Sequence, residues 1–161
     1  MALPVSLPEK YKIVQLDSAI TAANALDCDI ISCKNAHKVW FVVSHGGASD
    51  ADLTLSLVES TDVTGSTTTA VTAKVPIWVD ADAGASSDTL VKQADAASYV
   101  INTGSSVEQL VVIEWDPAKF SAGYDCIKLS DSGGGGSNVV NAIAIIETRY
   151  PQATPPAAIT D

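Results

Sequence analysis

Leu53, Leu55 and Leu57 alternate with Thr54 and Ser56, and short β-rich runs recur along the chain with turn-forming clusters between them. Strict alternation of apolar and polar residues marks a strand with one face in a core and the other in water. The other runs are Tyr11–Leu16, Asp29–Cys33, Lys38–Ser44, Val75–Val79, Ser98–Ile101, Gln109–Trp115, Tyr124–Leu129 and Val139–Thr148. Lys34–His37, Ser60–Thr69, Asp80–Asp88, Asn102–Ser106 and Ser130–Asn138 separate them, all rich in Gly, Ser, Thr, Asn or Asp. This rhythm predicts an all-β fold, an antiparallel β-sandwich or jelly roll with extended termini. Val39–Val43, Val111–Ile113 and Ile143–Ile146 are the expected core segments, with Leu55 as a core residue.

Two runs break the alternation. Lys38–Ser44 (KVWFVVS) is apolar at both parities, and Val139–Ile146 sets Ala142 and Ala144 against Ile143 and Ile145. A lone two-layer domain has water on its outer faces, so doubly apolar strands predict a partner covering one side.

Helical signals are few. Ser18–Leu26 (SAITAANAL) predicts a short helix capped by Ser18, and Ser87–Ala97 is a second candidate. Asp116-Pro117 is a cap and first-turn pair, limited to about one turn by Gly123. A chain of 161 residues fits one domain. Its expected organisation is an N-terminal arm with the first strand over residues 1–27, a sandwich over 28–149 and a proline-rich tail over 150–161. The tail (YPQATPPAAITD) carries three prolines, so it should run extended over its own domain or a neighbour.

Nineteen acidic side chains against nine basic ones give a formal charge of −10. Eight lysines and Arg149 offer no evident basic face for phosphate contacts, so nucleic acid is not an expected partner. No run approaches the roughly 18 apolar residues of a membrane helix, so no membrane partner is expected either. Met1–Lys12 lacks a basic region and is interrupted by Pro4 and Pro8, unlike a signal peptide. Cys28 and Cys33, on one strand, would lie about 17 Å apart, too far for a bridge. With Cys126 they match no zinc spacing, so buried, reduced thiols of a protein folded in a cytoplasm are expected.

A search for chemistry finds little. His45-Gly46-Gly47 resembles a hydrolase oxyanion loop only faintly and has no G-x-S-x-G elbow beside it, so a flexible loop is the expectation. His37, in the turn before the strongest strand, has no carboxylate partner at a telling spacing. Gly133–Gly136 lacks the Lys and Ser/Thr of a P-loop and reads as a flexible connection. Asp80, Asp82 and Asp88 around Gly84 fall short of a calcium loop, and Asp50 and Asp52 read as solubilising loop residues. No catalytic, cofactor-binding or metal-binding residue is assigned. Trp40, Trp78 and Trp115 all lie on predicted strands, as core or interface anchors or as a sugar-stacking platform.

Four stretches carry a resemblance: Ile31–Val43 (ISCKNAHKVWFVV), Val75–Val100 (VPIWVDADAGASSDTLVKQADAASYV), Ile113–Leu129 (IEWDPAKFSAGYDCIKL) and Arg149–Pro156 (RYPQATPP). Together they resemble a family of small proteins encoded among the head genes of tailed bacteriophages and prophages, from about Ile30 onward. Met1–Asp27 matches less well. The resemblance implies a capsid decoration or cement protein without catalytic residues, folded in the host cytoplasm and placed on the outer capsid surface of the virion. It further implies a homotrimer whose N- or C-terminal arm touches the major capsid protein. The alternative class is a receptor- or glycan-binding head spike or fibre module.

Overall fold

The structure is a computed structural model that describes residues 6–21, 26, 28–47, 51–84, 88–102, 108–133 and 138–150. A four-residue helix, α1 (Leu7–Lys10), leads into β1 (Tyr11–Thr21). The strands that follow are β2 (Ile31–Ser32), β3 (Ala36–Gly47), β4 (Leu53–Ser60), β5 (Thr68–Ala70), β6 (Ile77–Asp80) and β7 (Val91–Lys92). After them come β8 (Ser98–Ile101), β9 (Gln109–Trp115), a 3₁₀ turn (Pro117–Lys119), β10 (Cys126–Gly133) and β11 (Asn138–Thr148). Six strands form one antiparallel sheet in the order β1-β11-β3-β9-β6-β7. The other follows the order β2-β10-β4-β5, with β8 also paired to β4. The two sheets pack together as an all-β sandwich.

From β2 onward the chain changes sheet at almost every connection, staying within one sheet only from β4 to β5 and from β6 to β7. The core is therefore built from residues far apart in sequence. Val39, Phe41 and Val43 of β3, Val111, Ile113 and Trp115 of β9, and Ala142, Ala144 and Ile146 of β11 are all buried. From the other sheet come Leu53, Leu55, Leu57, Ile101, Ile127 and Leu129, likewise buried. Each large side chain here contributes about 1.5–3 kcal/mol by leaving water. In β4 the alternating leucines are buried, as the sequence pattern requires, and Glu59 and Ser60 at its end are buried with them.

Several local expectations are corrected. Ser18–Thr21 belongs to β1, not to a helix, because β11 pairs with β1 out to Ile20↔Val140 and Thr21↔Val139, past register shifts at Gln15/Asp17 and Asp17/Ile20. An available ladder outweighs the helix preference of an Ala-rich segment; residues 22–25 and 27 lie outside the described residues. Within Ser87–Ala97, the described residues 88–97 hold no helix: Val91–Lys92 pairs with β6, and Ala96 bridges to Val75. Thr68–Ala70, partly inside an expected loop, pairs with β4. The expected loop at Ser130 begins later, since β10 continues to Gly133 opposite Leu53. The first strand expected within residues 1–27 is β1, an edge strand of the six-stranded sheet. The Asp116-Pro117 turn forms as read, with the Asp116 carboxylate accepting from the Ala118 amide at 2.9 Å. Gly123 has φ 89°, a left-handed value that glycine adopts at no steric cost.

Candidate interaction surface

Side chains of residues paired across an antiparallel ladder point to the same side of the sheet. Phe41 and Val43 point inward, so Trp40 and Val42 point out. Trp40 is level with Ile145 on β11 and Glu114 on β9, and Val42 is level with Ile143 and Val112. Ile145 continues to Ile13 on β1, and Val112 continues to Trp78 on β6. The outer face of the six-stranded sheet thus presents Ile13, Ile143, Ile145, Trp40, Val42, Val112 and Trp78 as one apolar field across five strands. None of these is among the buried core residues, and Ile13 is 39% exposed. Of the expected core segment Ile143–Ile146, only Ala144 and Ile146 face the core; Ile143 and Ile145 belong to this field.

Its aromatic part is held by one charged group. Trp78 Nε1 donates to Glu114 Oε1 at 2.7 Å, and Lys38 Nζ donates to Glu114 Oε2 at 2.9 Å. Burial pushes the Glu114 carboxyl up, but hydrogen bonds from Lys38 and Trp78 and the Lys38 charge outweigh it, leaving the pKa below its ordinary value. The Lys38 ammonium lies 5.8 Å from the Trp40 ring centre, and Tyr11 meets Trp40 edge-on at 6.0 Å between centroids. Trp40 is thereby oriented by a cation on one flank and a ring on the other. Trp115 is different: it is fully buried and packs edge-on against Phe120 at 5.1 Å.

The remaining sequence candidates are scattered. His37 is exposed and lies in β3, not in a turn before it. His45-Gly46-Gly47 is strand, not flexible loop, because β11 pairs with all three residues and β9 pairs with His45. His45 is 2% exposed, faces inward with Val43, and has no hydrogen-bond partner for either ring nitrogen. Asp80, Asp88 and Glu108 border a cavity of about 390 Å³ near the β6–β9 end. The Asp80 carboxylate there accepts from the Asp82 amide at 3.2 Å. Among the described residues no group of three His, Cys, Asp or Glu could hold a metal ion. Asp50 and Gly134–Gly136 lie outside the described residues, and Asp52 is exposed. Cys28, Cys33 and Cys126 are buried free thiols, as expected. Burial and neighbouring Asp125 push Cys126 up to about 12, so it is no nucleophile at neutral pH.

The sequence pointed to β3 and β11 but missed Ile13, Val112 and Glu114. Gln109–Trp115 (QLVVIEW) carried the same signal, since Leu110 and Val112 are apolar at the parity opposite Val111 and Ile113. Compared with family models, curated proteins and solved structures, the chain matches none.

Proposed function

We propose that the protein is a non-enzymatic structural subunit, a decoration or cement protein that self-associates as a homotrimer on the outer surface of a bacteriophage capsid. The observation that carries this reading is the apolar outer face of the six-stranded sheet, running from Ile13 through Trp40 to Trp78. An antiparallel sheet facing only water would alternate polar residues there. The four stretches that resemble phage head proteins supply the setting, with the major capsid protein as the second partner. The charge of −10 suits a protein that must stay dispersed at high concentration and away from packaged nucleic acid.

A second reading, a glycan-binding head module, is favoured by Tyr11, Trp40 and Trp78 on one face beside the Glu114 carboxylate. The aliphatic remainder of that face, Ile13, Val42, Val112, Ile143 and Ile145, favours a protein partner, because sugar platforms need polar groups around their rings. The deciding experiment is cosedimentation with capsids from a phage that encodes the chain. Binding at a fixed copy number supports the decoration role. Absence from capsids together with a saturable hit on a glycan array would replace it with the second reading.

A further inference from the structure

The apolar face is smaller than a stable association requires. Five strands span about 24 Å and six residues of β3 rise about 20 Å, so the flat field offers roughly 500 Å². Stable interfaces bury about 800 Å² on each partner. Something beyond face-to-face contact must contribute, and the chain carries a segment suited to it. Beyond Tyr150 the sequence reads PQATPPAAITD, eleven residues with three prolines and one charge.

We infer that this segment, Pro151–Asp161, docks on the aromatic part of the outer face of a second copy, against Tyr11, Trp40 and Trp78. The inference rests on the proposed self-association and names the connector. Proline-rich chains favour the polyproline II form, which pays little ordering entropy on binding and is recognised by surfaces lined with aromatic rings. Trp40 and Trp78 stand two strands and two residues apart, about 12 Å. Four residues of polyproline II cover the same distance, about 12 Å, which is the spacing of Tyr150-Pro151 and Thr154-Pro155. The eleven residues reach about 34 Å, enough to cross the field.

The exit of the chain directs the segment away from its own face. β11 ends at Thr148, and the Arg149 amide donates to the Asn35 carbonyl at 2.8 Å while Arg149 Nε donates to the Ala36 carbonyl at 2.8 Å. These bonds carry the chain past the start of β3, beyond the end of the sheet. Tyr150, 67% exposed, precedes a proline and is therefore biased to extended conformations, which favours a neighbour's rings over its own Trp40. Charge agrees: Lys38 and Glu114 on this face are paired with each other, and an almost uncharged segment makes no demand for further charged partners.

The test uses two complementary variants and sedimentation velocity. One is the chain ending at Tyr150, which keeps the rings and lacks the segment; the other is the full chain with Trp40→Ala and Trp78→Ala. The full chain should be oligomeric, each variant alone should dissociate, and a mixture of the two should reassemble, since one supplies rings and the other the segment. As a measurement that needs no ring variant, a peptide of residues 150–161 should saturably change the tryptophan fluorescence of the shortened chain. Trp78→Ala in that chain should weaken the peptide about tenfold or more. A shortened chain that stays oligomeric and ignores the peptide overturns the arm and leaves self-association standing. A full chain that is monomeric at all concentrations overturns self-association itself. Peptide binding to the shortened chain but not to such a monomer would place the segment on its own face and overturn the exchange.

Discussion

Outward from the five-stranded sheet point Thr54 and Ser56 of β4, Lys128, Ser130 and Ser132 of β10, and Ser98 of β8, with Val58 and Val100 as the apolar exceptions. Outward from the six-stranded sheet point Ile13, Trp40, Val42, Trp78, Val112, Ile143 and Ile145. Both sheets bury leucine, isoleucine, valine or aromatic residues on their inner faces, so the inner faces cannot explain the difference. A hydroxyl-rich outer face costs nothing in water and discourages sticking. An outer face of branched and aromatic residues contributes less to an isolated sandwich than the core does, and it favours association. The contrast assigns stability to the shared interior and, under the proposed self-association, assembly to one exterior.

The largest expected effect separates the two sides of a single strand. Phe41→Ala, on the inner face of β3, should cost about 3–5 kcal/mol, and Leu55→Ala about 2–5 kcal/mol, by leaving cavities in a close-packed core. Trp40→Ala, one residue away on the outer face, should cost less than about 2 kcal/mol, read from urea midpoints in dilute solution. Equal losses for Phe41 and Trp40 would mean that the outer face is already part of one chain's own core.

Charge placed on the two exteriors sharpens the same contrast. Ile145→Lys should dissociate the assembly by about a hundredfold or more in concentration while the circular dichroism spectrum stays that of a strand-rich fold. Ser56→Lys, on the outer face of the five-stranded sheet, should leave the oligomeric state unchanged. Sedimentation velocity over a dilution series distinguishes them, and a Ser56→Lys chain that dissociates would put an interface on the hydroxyl-rich side as well.

The sandwich was legible because its strands obey period two: the leucines of β4 and the run Gln109–Trp115 appear at their written positions. Ser18–Thr21 was not legible, since its composition favours a helix while a ladder from β11, more than a hundred residues later, decides the matter. His45-Gly46-Gly47 failed in the same way; glycine pairs punctuate loops, but here the distant β11 pairs with both glycines. The interaction surface was half legible. Doubly apolar strands announced that an outer face would be apolar, whereas which residues share that face depends on register, and register joins Ile13 to Ile145 and Trp40 to Glu114 across long sequence gaps.

Two carboxylates extend the comparison to pH, with opposite signs. Asp131 lies buried on the inner side of β10; its Oδ1 accepts from the Leu26 amide at 2.7 Å, while Oδ2 has no hydrogen-bond partner. Burial raises its pKa, with nearby Asp17 adding to the rise, so the folded state takes up a proton more readily than the unfolded chain. Stability from this residue therefore falls as pH rises through the carboxylate range. Asp131→Asn, which can still accept from Leu26, should raise the urea midpoint at pH 7 and lose that advantage near pH 3. An Asn variant less stable than the parent at pH 7 would show that the charge is compensated.

The smallest effect belongs to the Lys38–Glu114 cluster on the apolar exterior. Glu114 has a lowered pKa despite partial burial, because Lys38 and Trp78 bond its charged form. A carboxyl lowered on folding adds stability that is present above its unfolded pKa and is lost as pH falls through its folded value. Glu114→Gln keeps an acceptor for Trp78 and removes the ion pair. Since Lys38 and Glu114 are both partly exposed, the loss at pH 7 should be no more than about 1 kcal/mol. The difference between parent and variant should shrink as pH falls and vanish once Glu114 is itself protonated. Tryptophan emission should report the same change, because Trp78 donates directly to this carboxylate. A Glu114→Gln loss that persists unchanged at low pH would locate the contribution in packing, and would make the charged cluster one more piece of the apolar field.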